Sequence, residues 1–388
     1  MEQRKKNLII LSFSHGFNHG LTSVHSIALP LLIPYFLLSY IEASLLSSLF
    51  YLTYALLSLP AGKYSTQFGR KNLILFYLLG SFIVTWITGL SPNYILILSL
   101  QIIAGALCGI YHPPGVVLLV NSYQQDRGKA LGFHEVGGVG GAVIISFFGG
   151  IVAKLWGWRY LFYIFSVPGL LIALLCFIWV KEEGLSAKEA SKDQVKMNLR
   201  PVVAIILCTG IEMMCVTGFR TWLPTLLMDR FRIGIMIASF LSTIVPVTSL
   251  MTSPLFGHAS DRFGRRIVLY SVLTIFSLSL VGIAYAHSLI WIIPILILTG
   301  TVYIAIVPIG NAYLSDNTPP SKRGYIFGIH NMFMSLMSAL APFIVGAMAD
   351  VFSFRSGMVL LASIAFSGVL IMILIPKREG IFKSQDKR

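Results

Sequence analysis

Gly62-Lys63-Tyr64-Ser65-Thr66-Gln67-Phe68-Gly69-Arg70-Lys71 returns 195 residues later as Gly257-His258-Ala259-Ser260-Asp261-Arg262-Phe263-Gly264-Arg265-Arg266. Each copy follows one long apolar run and precedes another. Three further matches hold the same register, at offsets of 194 to 196 residues. Arg127-Gly128 with Gly132-Phe133-His134-Glu135 returns as Arg323-Gly324 with Gly328-Ile329-His330-Asn331. Arg159 returns as Arg355, and Gly16-Phe17-Asn18 with Leu29-Pro30 returns as Gly210-Ile211-Glu212 with Leu223-Pro224. Four matches in register make the chain a tandem duplication.

What is duplicated is a set of apolar segments. Hydrophobic residues form 56% of the 388-residue chain and charged ones 11%, with mean hydropathy +0.81. No aqueous core of this size could hide that much apolar surface. A bilayer crossing takes about 20 apolar residues in a helix, and lipid offers the backbone no other hydrogen-bond partner. Runs between charged or Pro/Gly-rich breaks predict spans at 7–38, 42–62, 72–90, 93–119, 129–153 and 160–180. A second set falls at 201–228, 234–257, 266–287, 289–315, 325–349 and 357–375. The expected fold is an all-α integral membrane protein of 12 transmembrane helices in two pseudo-symmetric six-helix bundles. Residues 1–180 form the first bundle, 181–199 a linker with eight charged residues, 200–376 the second bundle and 377–388 a basic tail.

The formal charge of +14 invites a nucleic-acid reading, but its placement argues against one. If the termini and the even-to-odd loops share one side, that side holds 23 of the 29 Lys and Arg residues. This is the positive-inside bias. It predicts a multi-pass protein of the cytoplasmic membrane with both termini in the cytoplasm, and no polyanion partner. The N-terminal apolar stretch is too long for a signal peptide and has no small-residue cleavage site. The four cysteines lie inside spans without paired spacing, so neither a disulfide framework nor a zinc knuckle is expected.

The Gly-(x)4-Asp-Arg-Phe-Gly-Arg-Arg loop at Gly257, Asp261, Arg262, Gly264 and Arg265 resembles the signature loop of the major facilitator superfamily. Its degenerate twin at Gly62, Gly69 and Arg70 has Thr66 and Gln67 where the acid and the arginine belong. The resemblance implies two parallel six-span halves around a central site, moving between two states. It also implies that Asp261 latches cytoplasmic helix ends, near the start of span 5, and that a latch from the first loop is weaker. Gly109-Ile110-Tyr111-His112-Pro113 and Val136-Gly137-Gly138-Val139-Gly140 are similar to motifs of the fosmidomycin-resistance-type exporters. Span 5 lacks the Gly-Pro-x-x-Gly-Gly ending of better-known antiporters.

Ionisable groups inside a span cost several kcal/mol unless they meet a wet cavity or a partner, so each is a functional candidate. In span 1, His15, Asn18, His19 and Thr22 form one helical stripe. They read as cavity-lining and substrate-binding, ahead of helix–helix hydrogen bonding or zinc held with His112 or Glu135. In span 4, Gln101, Gly105, Cys108 and His112 share a face. His112 precedes Pro113-Pro114, so it either satisfies a carbonyl that proline frees or serves as a protonatable group beside a hinge. In span 5, His134 and Glu135 point about 100° apart. Glu135 is a proton-carrier candidate or a hydrogen-bonding gate, and the second half has Asn331 at its place.

Span 7 carries Glu212 and Arg220, roughly 12 Å apart along the axis. Glu212 is a second proton-carrier candidate on a helix that the resemblance implies lines the cavity. Arg220 suits an anionic substrate group, the alternatives being an ion pair with Glu42 or snorkelling to the outer interface. Asp126 and Asp316 read as solvated helix ends, Arg159 and Arg355 as caps, and Trp86, Trp156, Trp158, Trp222 and Trp291 mostly as interface anchors.

No phosphate-binding Gly-x-x-x-x-Gly-Lys-Ser/Thr loop occurs, so transport runs on an ion gradient or passively. The expected activity is proton-coupled export of a small amphipathic or anionic compound, by a chain that needs no cofactor and works as a monomer. The alternatives are an anion-uptake symporter, a non-transporting sensor, and an intramembrane metalloenzyme built on His15, His19 and His112.

Overall fold

The computed structural model describes residues 2–123, 126–182, 199–319 and 322–372, without the side chains of 127 and 323–325. Most of the 181–199 linker, and the 377–388 tail, lie outside the described residues. Thirteen helices and no strand occur among them: α1 (Glu2–Phe36), α2 (Tyr40–Phe68), α3 (Arg70–Leu90), α4 (Tyr94–Ser122), α5 (Arg127–Trp156), α6 (Trp158–Trp179), α7 (Leu199–Phe231), α8 (Ile235–Phe263), α9 (Arg265–Tyr285), α10 (Leu289–Val302), α11 (Ile306–Asp316), α12 (Arg323–Val351) and α13 (Phe354–Ile371).

Eleven candidate spans are long and apolar enough to cross a membrane, α10 and α11 counting together as Leu289–Asp316. The helix that falls short is α1, because it carries the polar stripe. That stripe faces inward: Asn7, Ser12, Ser14, His15, Asn18 and Thr22 are buried, while Ile9 and Phe13 are exposed. With α1, whose 35 residues exceed the bilayer core, the described helices make 12 spans. The expected single span 289–315 is broken at residues 303–305. Pro308 lacks the N–H that would reach the Ile304 carbonyl, and Val307 N–H takes that carbonyl at 3.2 Å in a tighter i→i+3 turn.

Local chemistry sets the helix ends. Ser39 and Glu42 close a capping box on α2, with Ser39 N–H donating to Glu42 Oε2 at 2.8 Å and Glu42 N–H to Ser39 Oγ at 3.1 Å. Asn93 caps α4 by accepting from Leu96 N–H at 2.9 Å. A single residue separates α2 from α3 and α8 from α9: Gly69 at φ 81° and Gly264 at φ 92°. A side chain is strained at such angles, which explains why both copies of the loop carry glycine there.

Two units emerge from the packing: Met1–Ser186 with Arg220–Thr243, and Ala187–Phe219 with Ile244–Arg388. The repeat divides the chain at the linker, whereas packing puts the end of α7 and the start of α8 with the first unit. There Trp222 is fully buried, edge-on to Tyr40 at 5.8 Å, and is no interface anchor. In the same unit α1 lies along α5, α2 along α4, and α3 along α6 and α4.

Glycine lets these helices touch. An added Cβ at Gly141 would stand 2.0 Å from the Gly16 carbonyl oxygen, and one at Gly137 would stand 2.5 Å from that of Ser12. Small-residue seams of this kind bring membrane helices into backbone contact. The duplication persists in the packing. Gly105 meets Thr53 and the Phe50 carbonyl, and 195 residues on Gly300 meets Thr248 and the Val245 carbonyl. At the α1–α5 seam the halves diverge, since Gly210 meets Phe333 and Met337 where Gly16 meets Gly137 and Gly141.

Candidate functional site

Four histidines of the first unit gather where α1, α4 and α5 meet. His15 and His19 come from α1, His112 from α4 and His134 from α5. The His15 ring lies 4.7 Å from that of His19, 4.8 Å from His112 and 4.1 Å from His134, on which it stacks. His15 Nδ1–H donates to the His134 carbonyl at 2.9 Å, and Gly138 leaves room for the ring, since a Cβ there would meet it at 2.6 Å. His15 Nε2 is buried and has no hydrogen-bond partner among the described residues.

His134 is committed elsewhere. The Tyr111 hydroxyl gives its proton to the Leu11 carbonyl at 2.5 Å, so the 2.8 Å contact with His134 Nε2 has the imidazole N–H donating to the hydroxyl oxygen. His134 Nδ1 then faces Glu135 Oε1 at 4.0 Å. Glu135 itself is exposed, its side chain at 67%, whereas that of His134 is fully buried. The second unit keeps part of this: His330 Nε2 lies 2.7 Å from the Thr209 hydroxyl, while Asn331, opposite Glu135 in the repeat, is exposed.

Asn18 braces the cluster. Its amide donates to the Cys108 carbonyl at 2.9 Å, one turn before His112, and ties α1 to α4. The carbonyl that Pro113 frees belongs to Gly109, and the Ser58 hydroxyl takes it at 3.1 Å; His112 is not spent there. Thr22 and Gln101 do not join the histidines. The Thr22 hydroxyl donates to the His19 carbonyl at 2.7 Å. Gln101 lines a separate pocket of about 10 Å³ with His25, Leu29, Leu32, Leu46, Ile97 and Phe162, with room for about one water molecule.

Arg220, half-buried and about two thirds of the way along α7, donates to the Tyr51 hydroxyl of α2. Glu42 is occupied by its capping box and forms no ion pair among the described residues. In the second unit Glu212 is 0% exposed, and neither carboxylate oxygen has a hydrogen-bond partner among the described residues. It shares a face of α7 with Cys208 and Cys215, four and three residues away. Their thiols reach the Gly368 and Leu361 carbonyls of α13 at 3.5 and 3.4 Å. Glu212 thus sits within the packing of α7 against α13 rather than on an open wall.

At the signature loops, each arginine after the positive-φ glycine finds an acid inside its own unit. Arg70 NH1 donates to Glu182 Oε1 at 3.0 Å, and Glu182 Oε2 accepts from Lys71 N–H at 3.3 Å. Arg265 Nε donates to Asp316 at 2.7 Å, with Asp261 3.4 Å from its NH1. Asp316 is therefore a bonded partner and not a solvated helix end. The degenerate first loop, lacking the acid, borrows Glu182 from just beyond α6.

Sequence reading missed Tyr51, Glu182, Thr209 and Ser58. Glu182 had a signal, an acid following span 6 in a half whose loop lacks one. The others are ordinary polar residues whose role depends on which helix lies opposite.

Twelve spans in a duplicated arrangement, with buried ionisable groups in both halves, fit a membrane transporter. The family model of the Major Facilitator Superfamily matches residues 11–241 and 205–387, and the chain belongs to that superfamily. It is 26% identical to the multidrug resistance protein MdtG of Proteus mirabilis over 318 residues, covering 80% of this chain and 79% of that protein. Against MdtG of Klebsiella pneumoniae the identity is 23% over 362 residues, covering 89% and 86%. Among solved structures, the fold matches a bacterial homolog to the human lysosomal transporter Spinster in an inward-facing and occupied conformation. The TM-score is 0.85 at 16% identity, covering 95% of this chain and 96% of that one.

Proposed function

We propose that the chain is a proton-coupled secondary exporter of small amphipathic or anionic compounds, drugs among them, working as a monomer in the cytoplasmic membrane with both termini inside. The observation that carries the coupling is Glu212, a carboxyl group with no exposure and no partner for either oxygen among the described residues. Ionising it there would leave a charge in apolar packing, at a cost of several kcal/mol. It therefore holds a proton in this conformation and gives it up only in one that hydrates it. The titratable side chains on its own helix face are the Cys208 and Cys215 thiols, and no ion pair reaches it among the described residues. Coupling follows when proton and substrate each bind the two conformations unequally. The resemblance to the MdtG proteins supports export and a drug-like cargo. Arg220, with a permanent charge, is proposed to hold an anionic group of the substrate beside Tyr51.

Vesicles reconstituted in known orientation test this reading. Under an imposed pH gradient, wild type accumulates a fluorescent drug-like anion in inverted vesicles. Glu212→Gln loses that accumulation but keeps gradient-free exchange. Unchanged pH-driven transport in Glu212→Gln overturns the role of that residue. Accumulation in right-side-out vesicles alone replaces export by uptake.

A further inference from the structure

We propose that His15, His19 and His112 form a binding site for one divalent transition-metal ion of the imidazole-preferring kind, such as Zn²⁺, Co²⁺ or Ni²⁺. One ligand nitrogen from each ring can be chosen so that all three lie within 4.8 Å of one another. Tetrahedral ligation at about 2.0–2.1 Å per bond needs them roughly 3.4 Å apart, so the rings must turn inward to close on an ion.

Three features set this apart from a chance meeting of side chains. First, His15 donates Nδ1–H to a backbone carbonyl at 2.9 Å. Metal-ligating histidines show this outer hydrogen bond, because it fixes the tautomer and aims the other nitrogen's lone pair at the ion. Second, that other nitrogen, Nε2, is buried without a partner on a side chain only 1% exposed. A buried acceptor left so is destabilising, and a bound cation would satisfy it. Third, the rings of His19 and His112 make no hydrogen bond among the described residues, and Ser58 rather than His112 takes the carbonyl that Pro113 frees. Asn18, bonded to the Cys108 carbonyl, holds the α1 pair in register with the α4 ring.

Three neutral imidazoles leave the charge of the ion uncompensated. Glu135 is the nearby carboxylate: its oxygen and donor atoms of His15 and His134 also lie within 4.8 Å of one another. Arg220 acts electrostatically on His19 and opposes a cation, so affinity in the micromolar range is expected rather than the tighter binding of structural zinc. Three protein ligands leave a fourth position open to water or another small ligand.

The sequence reading placed metal binding behind a cavity-lining role; the carbonyl-anchored tautomer and the bare Nε2 reverse that order. The proposal does not rest on the export reading.

The test uses the full chain, purified and stripped with chelator, titrated with Co²⁺ and followed by its visible ligand-field absorption. One ion per chain is expected. His19→Gln and His112→Gln should each weaken binding by about 10- to 100-fold or more, since even outer-sphere partners are worth that much. His25→Gln and His258→Gln should not. His112→Cys should retain binding and add a sulfur-to-cobalt charge-transfer band, which guards against reading misfolding as lost ligation. Absence of stoichiometric binding in wild type, or binding that survives His19→Gln/His112→Gln, overturns the site.

Discussion

Gly141→Ala places a methyl group where the backbone of another helix already stands. The new Cβ would lie 2.0 Å from the Gly16 carbonyl oxygen, 2.4 Å from its carbon and 2.5 Å from its Cα. Carbon–oxygen contacts of this kind settle at about 3.3–3.6 Å, so α1 and α5 must part by roughly 1.3 Å, and no rotamer change relieves the clash. We expect a loss of about 3 kcal/mol, the upper end of overpacking penalties. Two neighbours calibrate the figure. At Gly20 the added Cβ meets the tip of Ile145 at 2.4 Å, a flexible side chain, and Gly20→Ala should cost about 1 kcal/mol. At Gly140 nothing lies within 4 Å, and Gly140→Ala should gain about 0.5–1 kcal/mol from helix propensity alone. All four cysteines are buried, so a thiol-reactive dye reports unfolding in detergent as the temperature rises. Melting should rank Gly140→Ala at or above wild type, then Gly20→Ala, then Gly141→Ala. An unchanged melting temperature for Gly141→Ala would refute the close approach of these helices, and a destabilised Gly140→Ala would refute the open space at that position.

At the signature loops, Arg265→Ala should cost about 1–3 kcal/mol, because Asp316, 23% exposed, loses its 2.7 Å bond. Arg70→Ala, whose partner Glu182 keeps its bond from Lys71 N–H, should cost about 1 kcal/mol or less, whereas Arg265→Ala leaves both Asp261 and Asp316 without it; equal melting shifts for the two would contradict this asymmetry. Tyr111→Phe strands the buried His134 Nε2–H and removes the second bond of the Leu11 carbonyl. A loss of about 1–3 kcal/mol is expected, and a neutral result in the same melting assay would show that the Tyr111 bridge is not formed.

The helices were legible because their signal is one-dimensional. Residues must be apolar for about 20 positions to meet lipid, whatever they pack against. The signature loops were legible for a related reason: Gly69 and Gly264 answer to their own backbone angles. Even the two departures are local. Pro308 could have signalled the break near residues 303–305, and α1 is less apolar because its polar stripe turns inward.

The site was readable only in parts. Helical spacing put His15, Asn18, His19 and Thr22 on one stripe, yet it did not say that Asn18 would bond the Cys108 carbonyl while Thr22 turned to its own helix. Nor did it say that Ser58 would relieve His112, or that Tyr51 would meet Arg220. Composition and the repeat by themselves determined a duplicated twelve-span membrane protein, its helix ends to within about six residues and the short roster of ionisable groups inside it. Only the tertiary structure decided which of those groups meet, because hydrogen bonds between helices depend on their relative rotation and on approach to within about 3 Å. Those quantities arise from glycine seams formed by residues more than a hundred positions apart, and no single stretch of chain records them.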